Sequence, residues 1–327
     1  MMGLILTMAI AFSGPAFHGD LFVSSNSPRF NSLGLTAYGS YSDSGVPDRR
    51  LFHTAVQGVV GLSLYSWLVP SSLELEGKTA TVVGLWTPVF WTAGQYMFAK
   101  ANAPISAEEV TMSGAGAYDG FFHGLLLGPD DAPPRLPLGL SLLENVGGFY
   151  LARSTRPTEA MVIRRVLQSI NGYTQGAALA ELTNAGKDAT QNIMAFHSIA
   201  SGYGSYLASV AFQDTLTTQG DAIFEYVSAT TLGVSSFMFF LPENDEKLSS
   251  TAYLIGNYAG YGLGLLMSQK RDISVGGAFV TAVVPPLVNG LLAGTLILVD
   301  AQPETVARVE GILLPLSVYG VYYLLSE

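Results

Sequence analysis

Cysteine is absent from the sequence, and charged residues are scarce. Without cysteine the chain can form no disulfide, no cysteine-ligated metal site and no thiol nucleophile. Charged residues make up 12% of the 327 positions, about half of their usual share in soluble domains. The net charge is −10 and no basic cluster occurs, so we expect no nucleic acid partner.

The sequence also lacks the motifs that identify common enzyme classes. It contains no phosphate-binding GxxxxGK[ST], no HExxH and no GxSxG. The stretch at 201–205 (Ser-Gly-Tyr-Gly-Ser) resembles a nucleophile elbow only superficially, because it lies within a helical pattern. We therefore expect a non-enzymatic protein that holds no cofactor.

Apolar residues are abundant and fall into regular stretches. Hydrophobic residues make up 49% of the chain, and the mean hydropathy is +0.36. From Leu51 onward, apolar stretches of about 17–25 residues alternate with short polar connectors, a length that matches the hydrocarbon core of a bilayer. Few of them alternate with period 2, so the pattern predicts helices. The ten predicted helices span about 51–69, 79–99, 107–128, 137–153, 159–182, 192–212, 219–241, 250–269, 273–298 and 307–325.

This pattern leaves two interpretations open. In the first, the chain is a polytopic membrane protein whose more polar helices are shielded by the others. In the second, it is a soluble or peripheral helical array, because the helix at 159–182 contains Arg164 and Arg165 and is too polar to span a bilayer alone. Residues 1–50 are predicted to lie outside the helical region of 51–327. Residues 1–17 are apolar without a positively charged start, which is atypical of a signal peptide, and the rest form an irregular surface region.

Glycine recurs at every fourth position in several of these stretches. Residues four apart lie on one face of a helix, and glycine there lets a neighbouring backbone approach closely. A run of four such glycines costs helix stability in water, so it indicates a packing role. The predicted helix-packing glycines are Gly116, Gly120, Gly124, Gly128, Gly172, Gly176, Gly256, Gly260, Gly264, Gly290 and Gly294. The sequence thus predicts an all-α, glycine-zipper-packed bundle or array of about ten helices.

A helical hairpin is repeated along the chain. Helix-start signals occur at Ser106, Thr158, Thr218 and Ser274, at intervals of about 52 to 60 residues. Two of them, Ser106 with Glu109 and Thr218 with Asp221, have the spacing of a capping box. The predicted hairpins span roughly 105–153, 157–212, 217–269 and 272–325, a period typical of arrays in which each unit packs on the next.

Part of this layout resembles a known group of proteins. The residues concerned are Leu64-Tyr65-Ser66-Trp67, Pro70, Gly94 and the run from Val110 to His123-Gly124-Leu125. The part of the chain that carries these residues resembles uncharacterised bacterial glycine-rich helical-repeat proteins. The resemblance implies a bacterial membrane protein and no particular activity, ligand or site residue.

Two sets of polar residues within the apolar stretches are candidates for function. Asp119 and His123 share a helix face and, with His197, are the candidates for a metal or proton-handling site. Hydrogen bonding within the helix or to a polar partner on the next helix is the stronger interpretation of the pair. Glu144 and Glu225 lie in the middle of their stretches, where an ionisable group inside a membrane is a functional candidate. No metal site is predicted from these residues.

The leading functional hypothesis is a structural or assembly component that lies in a membrane. Its expected partners are lipid and other protein subunits, or further copies of itself. A transporter or channel that uses the mid-helix carboxylates is the first alternative, and a peripheral array that binds protein partners is the second.

Overall fold

The computed structural model describes residues 40–41, 47–129, 132–212, 217–243 and 245–326. The predictions for residues 1–17, and those for most of 18–50, lie outside these ranges. Within them, strand β1 (Ser40–Tyr41) pairs antiparallel with strand β2 (Pro47–Asp48). Everything described from Arg50 onward is built from helices and their connectors.

The described residues form ten long helices, which confirms the predicted all-α class. Helix α1 covers residues 50–72, as Arg50–Val60, a π-helical turn Gly61–Tyr65 and Ser66–Ser72. The remaining helices are α2 (Gly77–Ala101), α3 (Ala107–Leu127), α4 (Arg135–Thr155), α5 (Glu159–Leu182), α6 (Lys187–Ala211), α7 (Gln219–Phe240), α8 (Glu246–Ser268), α9 (Val275–Leu298) and α10 (Pro303–Leu325).

Helix starts differ most from the sequence prediction where the first turn is polar. Helix α6 begins at Lys187 rather than near 192, and α8 begins at Glu246 rather than near 250. Polar residues at these starts belong to helix caps and first turns, which an apolar pattern does not include. Pro88 and Pro315 lie inside helices that continue past them, so neither proline ends its helix.

Side-chain caps fix the starts of several helices. The capping boxes predicted from the sequence are present, since Ser106 accepts from the Glu109 backbone N–H and Thr218 accepts from that of Asp221. Ser274 caps α9 in the same way by accepting from Gly277 N–H. These bonds satisfy N–H groups that a helix start leaves without partners.

The described chain divides into two compact units, with the boundary between Val162 and Ile163. In the first unit, α1 pairs with α2 and α3 pairs with α4 as antiparallel hairpins. A Cβ added at Gly116, Gly120 or Gly124 would overlap the backbone of α4, and one at Gly148 would lie 2.5 Å from the Met112 carbonyl oxygen. The two backbones of the α3–α4 hairpin are therefore in direct contact.

The second unit contains most of α5 and all of α6 to α10. A Cβ at Gly172 or Gly176 would lie 2.6 Å from the Cα of Ser198 or Met194 on α6. A Cβ at Gly256 or Gly260 would overlap carbonyl oxygens of α7, while one at Gly264 would lie 2.9 Å from the Glu225 Cα. Helix α7 also packs on α9 and α10, so it is central to this unit.

Three of the predicted packing glycines are not in such contacts. No described atom outside its own local backbone lies within 4 Å of a Cβ built at Gly290 or at Gly294. At Gly128, the helix cap, the nearest atom is the Gly124 carbonyl oxygen of the same helix, at 2.8 Å.

Two helical segments of the described residues are long and apolar enough to cross a membrane. They are Gln219–Glu243, with a mean hydropathy of 1.3, and Val275–Leu298, with 1.7. In the most apolar 18-residue stretch of the first segment, 50% is buried within the protein. In the corresponding stretch of the second segment, only 17% is buried.

Candidate functional site

The structure brings two of the residues singled out in the first unit into contact. His123 on α3 and Glu144 on α4 are both largely buried, and Nδ1 of His123 lies 2.6 Å from Oε1 of Glu144. Asp119 lies one turn before His123 and is also buried. Helix pairing along the glycine face thus places a carboxylate opposite an imidazole, and that pairing gives Glu144 a structural partner.

His197 belongs to a different polar cluster, in the second unit. Its Nε2 atom lies 3.0 Å from Oε1 of Gln175 and 3.2 Å from the hydroxyl of Tyr258. Among the described residues, no group of three histidine, aspartate or glutamate side chains is placed to hold a metal ion. The hydrogen bonds account for His197 without a ligand.

Glu225 forms a buried ion pair that the sequence did not suggest. Both of its carboxylate oxygens lie 2.8 Å from guanidinium nitrogens of Arg164 on α5. Arg164 also donates to Ser209 at 2.7 Å, and both charged side chains are almost fully buried. A two-pronged arginine–carboxylate pair of this kind fixes the relative position of two helices.

A cluster of side-chain amides joins α5 to α8 in the same unit. Asn257 on α8 exchanges two hydrogen bonds with Asn171 on α5, of 3.0 and 2.9 Å, and accepts a third from Gln175 at 2.7 Å. All three amides are buried. Their hydrogen bonds satisfy one another, so the cluster avoids the cost of an unpaired buried polar group.

The first unit contains a matching cluster. Asn145 on α4 donates to Gln57 on α1 at 2.9 Å and accepts from Ser113 on α3 at 2.6 Å. In both units an asparagine on the second helix of a hairpin therefore bonds an amide on the first helix of the preceding hairpin. This correspondence is a structural sign of repetition that sequence spacing alone did not reveal.

The second unit also contains a cleft between α5, α7 and α8 that no sequence motif indicated. Its volume is about 830 Å³. At one end, close to the helix termini, lie the exposed carboxylates of Glu181, Asp245 and Glu246. The lining residues are Thr174, Ala177, Ala178, Glu181, Tyr226, Thr230, Val234, Phe237, Leu241, Asp245, Glu246, Ser249, Ser250 and Tyr253.

The inner part of the cleft adjoins the amide cluster. The Tyr253 hydroxyl donates to Thr174 at 2.7 Å and accepts a long bond from Asn257 at 3.4 Å. The sequence pattern does not reveal the cleft because its residues come from three helices. Each of them is an ordinary helix or cap residue in its own segment.

Comparison with known proteins identifies no family. The chain matches no protein-family model, and neither the curated proteins nor the solved structures include a significant match to it.

Proposed function

We propose that the protein is a non-enzymatic structural component of a membrane, and that it assembles with a second copy of itself through α9. The observation that carries the proposal is the surface of α9. This helix is the more apolar of the two candidate spans and the less buried. It presents two glycines, Gly290 and Gly294, at which an added Cβ would meet no described atom within 4 Å.

The distribution of polar and apolar side chains supports a membrane location. Asn145, Asn257 and Arg164 are buried, whereas Leu291 and Leu298 of α9 are 74% and 85% exposed. In water, exposing a leucine forgoes about 1.5–3 kcal/mol of burial free energy, and large exposed apolar patches are rare on soluble monomers. Lipid removes that cost, because acyl chains solvate the exposed side chains.

The polar helices do not conflict with this location. Helix α5 contains arginine and amide side chains that would exclude it as a single span. The side chains of Arg164, Asn171 and Gln175 form hydrogen bonds to α6, α7 or α8 instead of facing lipid. Polar groups within membranes are tolerated where they face other helices and are paired.

The assembly role follows from Gly290 and Gly294. Both are exposed, lie one helical turn apart and have no described neighbour within 4 Å of a built Cβ. Helices with this spacing of small residues associate in membranes because their backbones can approach closely. The same face on two copies is self-complementary about a two-fold axis, which favours a homodimer.

The experiment combines alkaline-carbonate extraction of membranes with mass measurement in detergent. We expect the protein to stay in the membrane pellet and the detergent-solubilised chain to have a mass above its monomer value of 34.6 kDa. The variant Gly290→Leu/Gly294→Leu is expected to be monomeric.

A matched control is Gly147→Leu/Gly262→Leu. A Cβ at either position also meets no described atom within 4 Å, but the two glycines lie on different helices, α4 and α8. It should keep the wild-type mass. Release by carbonate would support the peripheral array instead. A membrane-bound monomer, or an oligomer that survives the α9 substitutions, would refute assembly through this helix.

A further inference from the structure

The cleft in the second unit has a charge of one sign. Among the described residues that line it, Glu181, Asp245 and Glu246 are acidic and none is basic. The carboxylates lie at the ends of α5 and α8, where they are exposed. A cleft with negative charge at one end raises the local concentration of cations.

Deeper in the cleft, hydroxyl groups of two largely buried serines have no hydrogen-bond partner among the described residues. Ser249 and Ser250 are only 2% and 7% exposed and line the cleft. In the described part of the chain, no hydrogen bond involves either side-chain hydroxyl or that of Tyr226, which lines the same space. Hydroxyl groups that reach the cleft without a protein partner are available to bond to water or to a bound molecule.

Aromatic rings complete the lining. Tyr226, Phe237 and Tyr253 border the cleft together with the apolar side chains of Val234 and Leu241. The faces of aromatic rings attract ammonium groups, and this attraction grows when the cation is removed from water. The volume of 830 Å³ lies within the range of small-molecule sites.

We infer that this cleft binds a small organic cation, with an ammonium group held between the carboxylates and the tyrosine rings and a polar group bonded to the inner hydroxyls. The inference does not depend on the proposed assembly role, because none of the lining residues lies on α9. It adds a ligand class that no sequence motif predicted.

The experiment is isothermal titration calorimetry on the full-length protein in detergent. The probes are choline, spermidine and 3,3-dimethylbutan-1-ol, the uncharged carbon isostere of choline. We expect at least one of the two cations to bind. If choline binds, its neutral isostere should bind at least tenfold more weakly. The variant Glu181→Gln/Asp245→Asn/Glu246→Gln should weaken cation binding by about tenfold or more.

The substitutions are chosen to leave the fold intact. Asparagine at 245 can still cap α8, where the Asp245 side chain now accepts from Leu248 N–H. A second variant, Ser249→Ala/Ser250→Ala, removes two hydroxyls that form no bond within the described chain and should weaken binding several-fold at an unchanged unfolding temperature.

The control variant is Glu76→Gln/Asp188→Asn/Glu304→Gln, which removes three exposed carboxylates that do not line the cleft. It should bind as the wild type does. The inference is overturned if neither cation binds at millimolar concentration, if choline binds and its neutral isostere binds as tightly, or if the cleft and control variants behave alike.

Discussion

Gly260 and Gly262 on α8 offer a direct test of whether close backbone contact holds the hairpins together. The two glycines lie two residues apart in the same helix but face different surroundings. A Cβ at residue 260 would overlap the Ser228 carbonyl oxygen on α7 and lie 2.9 Å from the Cα of Ala229. A Cβ at residue 262 would meet no described atom within 4 Å.

The expected magnitudes follow from two opposing effects. Replacing glycine by alanine inside a helix stabilises it by up to about 1 kcal/mol in water. Forcing a methyl group into a packed contact costs about 1–3 kcal/mol, and here the obstructing atoms are backbone, which cannot rotate away. Gly262→Ala should therefore be neutral or stabilising. Gly260→Ala should be less stable than Gly262→Ala by about 1–3 kcal/mol.

The assay is reversible unfolding of the purified protein in mixed detergent, followed by circular dichroism. Because both variants make the same chemical change in the same helix, their difference isolates the contact with α7. Equal unfolding free energies for the two variants would refute the view that the α7–α8 backbones are in contact at residue 260.

Two further predictions concern buried polar groups and helix caps. Glu225→Gln should lower the free energy of unfolding by about 3 kcal/mol, because it leaves Arg164 buried without its counter-charge. The double variant Arg164→Met/Glu225→Leu removes both charges and should lose less stability than the single variant. A larger loss in the double variant, measured in the same denaturation assay, would contradict this reasoning. Ser106→Ala should cost about 1 kcal/mol through loss of the bond to the Glu109 backbone N–H, while Ser106→Thr keeps the cap and should cost much less. A loss as large in the threonine variant would rule out capping as the cause.

The sequence is most informative where one helix determines the outcome by itself. The ten helices follow from the length and spacing of apolar stretches, and the starts of α3 and α7 follow from their cap residues. These are local signals, because a cap or an apolar stretch involves residues close together in the chain. The apolar pattern predicts the starts of α6 and α8 too late because their first turns are polar.

Contacts between helices are harder to foresee. Glu225 stands out in the sequence as an unusual mid-helix carboxylate, but no residue near it in the chain indicates Arg164 as its partner. In the sequence, the charge of Arg164 indicates only that its own helix is too polar to span a membrane alone. The separation of 61 residues between them is not encoded in any local pattern. The lining of the cleft escapes sequence analysis for the same reason, since Ser249 and Ser250 look like ordinary first-turn residues of α8.

The pairing of Glu225 with Arg164 and of Asn257 with Asn171 bears on how such helices find one register. In a membrane, as we propose for this chain, lipid solvates apolar side chains as well as a protein core does, so hydrophobicity does not decide which helix faces pack. Glycine contacts allow close approach, yet a face with glycine at every fourth residue also permits alignments that are shifted by one turn. Shifting α8 by one turn against α5 would separate Asn257 from its amide partners and leave buried groups unsatisfied. The polar clusters therefore select one alignment among several that the glycines allow, which explains why both units combine the two features.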